Sequence, residues 1–224
     1  MKKIAMIFAV GLACVSLAIS QSQKKEAAPE NSDIANLRLA YDLATYGYKN
    51  DSASALLQAA EIIVSVPKQK ADVKAEQKGT SAESPDGAKS DFSAGALIAD
   101  ARKFAGKDKA LLAWASDLEK VASKSTRGAS GGALYDASFV YANGGTTRYN
   151  WYFDAGRTAE VAVYSVDGAD LDLVILDENG NIIASDEGYA VNAYCRFTPR
   201  WTGVFTVVVY NNARYNASFE IATN

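Results

Sequence analysis

The stretch DLDLVILDENGNIIASDEG, Asp170–Gly188, decides how the chain is read. Acidic and Asn side chains alternate with Leu, Val and Ile, so the segment is either a metal or acid/base site or the turn chemistry of a β-hairpin. Asp177-Glu178-Asn179-Gly180-Asn181 falls between LDLVIL and IIAS. Asn-Gly between alternating apolar runs is a strong hairpin signal, because both residues tolerate positive φ. The same residues resemble the start of a Ca²⁺ loop, but the Gly falls one place early and no Glu follows at the twelfth position. A hairpin is the expected reading of this turn.

Asp170 and Asp172 raise a separate question. Two residues apart on a strand, they share a face, with carboxylates about 6–7 Å apart at a rise near 3.3 Å per residue. Such neighbours repel, and call for a cation or a hydrogen-bond donor. One expectation is Ca²⁺ held by Asp170 and Asp172, with Asp167 or Asp186 completing the oxygen shell. The favoured one is local: Asp170 caps a turn and Asp172 pairs with Arg157, Arg196 or Arg200, since Asp and Asn dominate turns for local reasons. A glycosidase pair would need carboxylates on opposite sides of a bond.

Outward from this stretch, the period is two from residue 133 to the end. YDASFVYA, TTRYNWYF, TAEVAVYSV, LDLVIL, IIASDEG, VNAYCRFTP, GVFTVVVYN and RYNASFEIAT are separated by Asn, Gly and Asp turns. Eight short strands predict an antiparallel, jelly-roll-like β-sandwich. In the last, Tyr215, Ala217, Phe219 and Ile221 share one face. GVFTVVVYN is apolar on both faces and predicts a central strand covered on both sides. In TTRYNWYF, Tyr149, Trp151 and Phe153 form the core side. Tyr152, with Tyr189 or Tyr194, is a candidate stacking surface for a sugar or polymer.

The run YFDAG, then GADLDLVILDENGNIIAS, then PRWTGVFTVVV resembles the pre-peptidase C-terminal domain over roughly Tyr135 to Ala222. Val204 stands where that family has Thr. The resemblance implies a jelly-roll-like sandwich attached to secreted enzymes or surface proteins, with calcium or an extracellular polymer bound by some members. It brings no catalytic residue.

The first half differs in chemistry. From Gln21 to Ala129 there are 16 Lys and Arg against 15 Asp and Glu; from Ser130 to Asn224 there are five Arg, no Lys and 11 acids. STRGASGG, 125–132, reads as the linker between the halves. Helical spacing recurs in SDIANLRLAYDLATYG, with Ser32 or Asp33 as N-cap and Gly47 as the stop, and in SASALLQAAEIIVSVP, ended by Pro67. A second pair lies in SAGALIADARKFAG and KDKALLAWASDLEKVAS, where Trp114 reads as core. Helix, Gly, polar turn and Ala-Leu-Leu repeat loosely, as in tetratricopeptide-like hairpins, so 33–124 reads as four helices. The polar run 68–91 reads as a flexible loop within it, and 21–32 as a tether.

The N-terminus carries Lys2 and Lys3, then sixteen uncharged residues, Ile4–Ile19. At 1.5 Å each they span about 24 Å, short of a bilayer core. Residues 1–20 therefore predict a removed secretory signal and a periplasmic or secreted protein. Cys14 sits out of register for lipidation. Cys195 is then the only mature thiol, which excludes an internal disulfide and a Cys-based metal cluster. The chain has no His, removing the usual base and every Ser-His or Cys-His pair. The acidic, Lys-free tail argues against nucleic acid. The expectation is an exported, non-catalytic binding or accessory protein for a polymer, carbohydrate or protein partner, with no membrane span once the signal is gone. The alternative is a carbohydrate-active hydrolase using Asp170 or Asp172.

Overall fold

The computed structural model describes residues 30–83, 92–125 and 132–224. The expected signal segment 1–20, Cys14, most of the tether and most of the 125–132 linker lie outside them. Four helices come first: α1 (Ser32–Lys49), α2 (Ala53–Ser65), α3 (Ala94–Ala105) and α4 (Lys109–Ser125). Two short strands, β1 (Lys68–Lys70) and β2 (Glu76–Thr80), lie between α2 and α3. Eight more follow: β3 (Ala133–Val140), β4 (Ala142–Phe153), β5 (Ala159–Ser165), β6 (Leu171–Leu176), β7 (Ile182–Asp186), β8 (Asn192–Phe197), β9 (Gly203–Asn211) and β10 (Ala217–Thr223). These eight match the expected strands one for one.

They form two sheets, β1-β3-β10-β5-β8 and β2-β4-β9-β6-β7. All pairings are antiparallel except β1 with β3. With β1 and β2 set aside, the orders 3-10-5-8 and 4-9-6-7 are those of a double-sheet jelly roll. The core between the sheets takes the inward residues of each strand. Val161 and Val163 of β5, Phe219 and Ile221 of β10, Tyr149 and Trp151 of β4 and Phe205 and Val207 of β9 meet there.

The polar run 68–91 corrects the loop expectation. Its described part contributes an edge strand to each sheet: Lys68 pairs with Ala133, and Glu76 pairs with Arg148. Between the strands, Ala71, Val73 and Ala75 pack on the sandwich core. Edge strands with Lys and Glu side chains bond through the backbone, so they leave no apolar pattern to read.

The helices roof the outer face of the first sheet. Ile34, Leu37, Tyr41 and Ala44 of α1 and Leu56, Leu57 and Ala60 of α2 share one core with Ala162, Tyr164, Val166 and Ala222. Trp114 packs at its edge. Tyr41 stacks on Tyr164 with ring centroids 4.0 Å apart. The strand covered on both sides is thus β5, every residue of which is buried, and not β9. In β9, central in its sheet, Val208 is buried while Val204 is exposed.

Two helix termini also differ from expectation. The N-cap of α1 is Asn31, whose side chain accepts from the amides of Asp33 and Ile34, one residue ahead of Ser32. Gly47 does not stop α1, which runs on to Lys49. A Cβ there would lie 2.5 Å from Leu56 Cδ2, so this Gly permits close packing of α1 on α2.

Candidate functional site

The acidic hairpin resolves into turn chemistry. Asp177 Oδ1 accepts from the amides of Asn179 (2.9 Å) and Asn181 (2.7 Å), and Oδ2 accepts from Asn181 Nδ2 at 2.8 Å. Gly180 takes φ +81°. These donors, led by the Asn181 side chain, hold the Asp177 carboxyl below the usual carboxylate range.

The aspartates expected at a calcium site are each placed differently. Asp167 accepts from Ser165 Oγ, Ala169 N and Ser218 N. Asp186 accepts from the amide of Tyr194 at 2.9 Å. Asp172 faces outward on β6, between inward-facing Leu171 and Leu173, and accepts from Asn212 Nδ2 at 2.7 Å. That corrects the expected Arg partner: Arg157 pairs with Asp154, and Arg196 with Glu160. Asp170 Oδ1 is buried without a hydrogen-bond partner. Desolvation raises the Asp172 carboxyl, the Asn212 bond opposes it, and the charges of Asp170, Glu187 and Asp186 add to the rise. Among the described residues, no group of three or more acidic or thiol side chains is placed to hold a metal ion.

The three tyrosines do not share a surface. Tyr152 projects from β4 on the outer face of the second sheet, 66% exposed. Tyr194 lies on β8 of the first sheet, under the Arg38 guanidinium, 4.1 Å from its ring centre. Strand alternation turns the two toward opposite sides of the sandwich. Tyr189, fully exposed, sits in the β7–β8 loop.

Tyr152 instead has neighbours that the sequence did not reveal. It pairs in register with Val204 of β9, which is exposed. Beyond it, Ile182 pairs with Leu176, and Leu176 with Thr206. The β4–β5 turn is tied to the β8–β9 turn by Gly156 N to Pro199 O (2.9 Å) and Ala155 N to Thr202 Oγ1 (2.8 Å). Trp201 of that second turn is partly exposed and stacks on Phe205, centroids 5.5 Å apart. A groove of about 540 Å³ runs between Ile182, Ile183, Arg196, Arg200 and Trp201. Arg196 and Arg200 therefore meet Ile182 and Trp201 in this groove, while Tyr152 lines a separate hollow with Arg157. PRWTG, Pro199–Gly203, was the visible signal, but nothing in it announced Ile182 as a neighbour.

Cys195 is buried, its Sγ 3.7 Å from Leu173 O, and burial pushes the thiol up to about 12. No described helix is long and apolar enough to cross a membrane.

No protein family profile matches the sequence, and no curated protein does. Solved structures similar to the chain include the pre-peptidase C-terminal domain of a Bacillus anthracis collagenase. It has 14% identity and a TM-score of 0.35, over 41% of this chain and 87% of that one. A periplasmic inhibitor of g-type lysozyme from Aeromonas hydrophila has 12% identity and a TM-score of 0.31, over 41% and 82%. A carbohydrate-binding and xylanase module pair from Clostridium thermocellum, solved with xylohexaose, has 13% identity and a TM-score of 0.25, over 41% of this chain and 26% of that one. Helical hairpins are present in the N-terminal half and a two-sheet sandwich in the C-terminal half.

Proposed function

We propose that the protein is an exported, non-catalytic binding protein whose sandwich docks on an extracytoplasmic carbohydrate polymer. The observation that supports this is the asymmetry of the two sheets. One outer face is roofed by helices, while the other bears exposed Tyr152, Val204 and Ile182, with Trp201 and Arg200 at its end. Aromatic and Arg side chains are the residue types that carry most binding energy at interfaces. Aromatic faces stack on sugar rings, and the Arg200 fork suits carboxylate or phosphate groups along such a polymer. The charge is local, because the sandwich as a whole is acidic.

The hydrolase alternative has less support. Asp170 and Asp172 sit two residues apart, and Asp172 is held by Asn212, whereas a glycosidase needs two carboxyls across a bond. The test is co-sedimentation with insoluble glycans and cell walls, comparing the wild type with Tyr152→Ala and Trp201→Ala. Retention should fall about tenfold or more in the variants, at unchanged helix and strand content. Equal retention would refute the surface, and glycan cleavage abolished by Asp172→Asn would refute the non-catalytic reading.

A further inference from the structure

A second cavity, of about 390 Å³, lies in the seam where α1 crosses the edge strand β8. Arg38, Asp42 and Thr45, on one face of α1, form one wall; Tyr164 of β5 is the floor; Asn192, Tyr194 and Asp186 close the far side. Three buried polar atoms here have no hydrogen-bond partner: Thr45 Oγ1, Tyr164 Oη and Asn192 Oδ1. Tyr164 is 1% exposed. Buried polar groups in folded proteins are paired in the large majority of cases, so three around one void need an account. The volume exceeds that of one water, roughly 30 Å³, more than tenfold, and small-ligand pockets begin at roughly 300 Å³.

The lining specifies the chemistry. Asn192 already donates through Nδ2 to Asp42 Oδ1 at 2.8 Å, which fixes its Oδ1 as a free acceptor. Burial raises Tyr164 well above its ordinary range, so its hydroxyl keeps its proton and can donate. Arg38 is the only cation in the lining, and it is engaged by Glu30 at 2.5 Å and by the Tyr194 ring. Asp42 and Asp186 leave the lining net negative, which disfavours an anion. Groups that both donate and accept suit this mixture, and hydroxyls do so.

We propose that the seam between α1 and β8 binds a neutral polyhydroxylated small molecule of monosaccharide size. Its hydroxyls donate to Asn192 Oδ1 and the free carboxylate oxygens, and accept from Tyr164 and Thr45. Exposed Asp42 and Ala190 mark the mouth, with Tyr189 next to Ala190 in the chain. The ligand would join a helix to the sandwich, so binding and the docking of the two layers are coupled. This site is separate from the Trp201 surface.

The experiment is thermal melting of the full mature chain with glucose, N-acetylglucosamine or myo-inositol at about 10 mM, beside glucuronate and glucosamine. A neutral probe tenfold above its Kd should raise Tm by about 3–6 °C. Tyr164→Phe keeps the ring stacked on Tyr41 and removes only an unpartnered hydroxyl. Its unliganded Tm should stay level or rise, while affinity falls about tenfold or more; Thr45→Val should act in the same direction. Tyr152→Ala should leave this binding unchanged. A melt that no neutral probe moves, a response confined to the anion or the amine, or affinity untouched by both seam variants would each overturn the proposal.

Discussion

Glu220 offers the sharpest test of how the helices are held to the sandwich. Its side chain leaves β10 on the outer face of the first sheet and is 2% exposed. The amide of Phe92, just ahead of α3, donates to Oε1 at 3.0 Å, and the Tyr41 hydroxyl of α1 donates to Oε2. On the strands beside it, the register partners are Tyr164 and Ala137. Burial pushes the carboxyl up from 4.5 to about 7, opposed by the Phe92 amide. Below pH 4.5 the group is protonated whether the chain is folded or not, and it contributes no pH dependence. Between pH 4.5 and 7 the folded state holds the proton that the unfolded state has lost, so stability falls as pH rises. Above pH 7 the ionised carboxylate costs the fold about 3 kcal/mol, from two to three units at 1.36 kcal/mol each.

For a chain of this size that is about 6–12 °C in Tm. Glu220→Gln is neutral at every pH and keeps an acceptor for the Phe92 amide. Its Tm should exceed that of the wild type at pH 8 and converge on it near pH 4. Melts followed by circular dichroism across that range, plotted as the difference between the two proteins, isolate the effect, because Asp172 and every other acid are common to both. A difference that does not change with pH would refute the assignment.

Three further outcomes are expected. Gly132 has φ +94°, and a Cβ there would lie 2.1 Å from Pro67 O, the acceptor for Ala133 N; Gly132→Ala should lower stability by about 2–4 kcal/mol in denaturant melts. Cys195, buried and with its thiol pushed up to about 12, should resist an aromatic disulfide reagent at pH 8 until the chain unfolds. With Asp167, Asp172 and Asp186 already accepting hydrogen bonds within the protein, neither millimolar Ca²⁺ nor chelator should move the melt, and a Ca²⁺-dependent rise would establish the calcium site.

The eight jelly-roll strands were legible because most alternate in burial and are bounded by Asn, Gly or Asp, although β5 buries every residue. The strands β1 and β2 were not, because KQK and EQKGT place almost no side chain in the core. Their role is carried by backbone bonds, which composition does not encode. Gly47 was misread for a similar reason: a Gly that ends a helix and one that admits a neighbour look alike in a string. The candidate surface was half legible. Tyr152 follows from alternation, but Trp201 and Arg200 of the β8–β9 turn meet Ile182 of β7 and Arg196 of β8 only through the fold. The seam cavity combines residues up to 156 positions apart, Arg38 and Tyr194, and no local pattern joins them.

The change of composition near 125–132 suggested a border between two domains, and the packing gives it another meaning. The first sheet's outer face carries Ala162, Tyr164, Val166 and Ala222, which a bare sandwich would expose. Among them lie two buried carboxylates, Glu160 and Glu220, each accepting a backbone N–H from the helical side, from Asn31 at 2.9 Å and from Phe92 at 3.0 Å. The helices also deliver β1 and β2, which complete one edge of each sheet. A sandwich cut off at residue 133 would lose both edge strands, its roof and the backbone donors to Glu160 and Glu220 together. The helical half is therefore a third layer packed on the outer face of the first sheet, with a core of its own there.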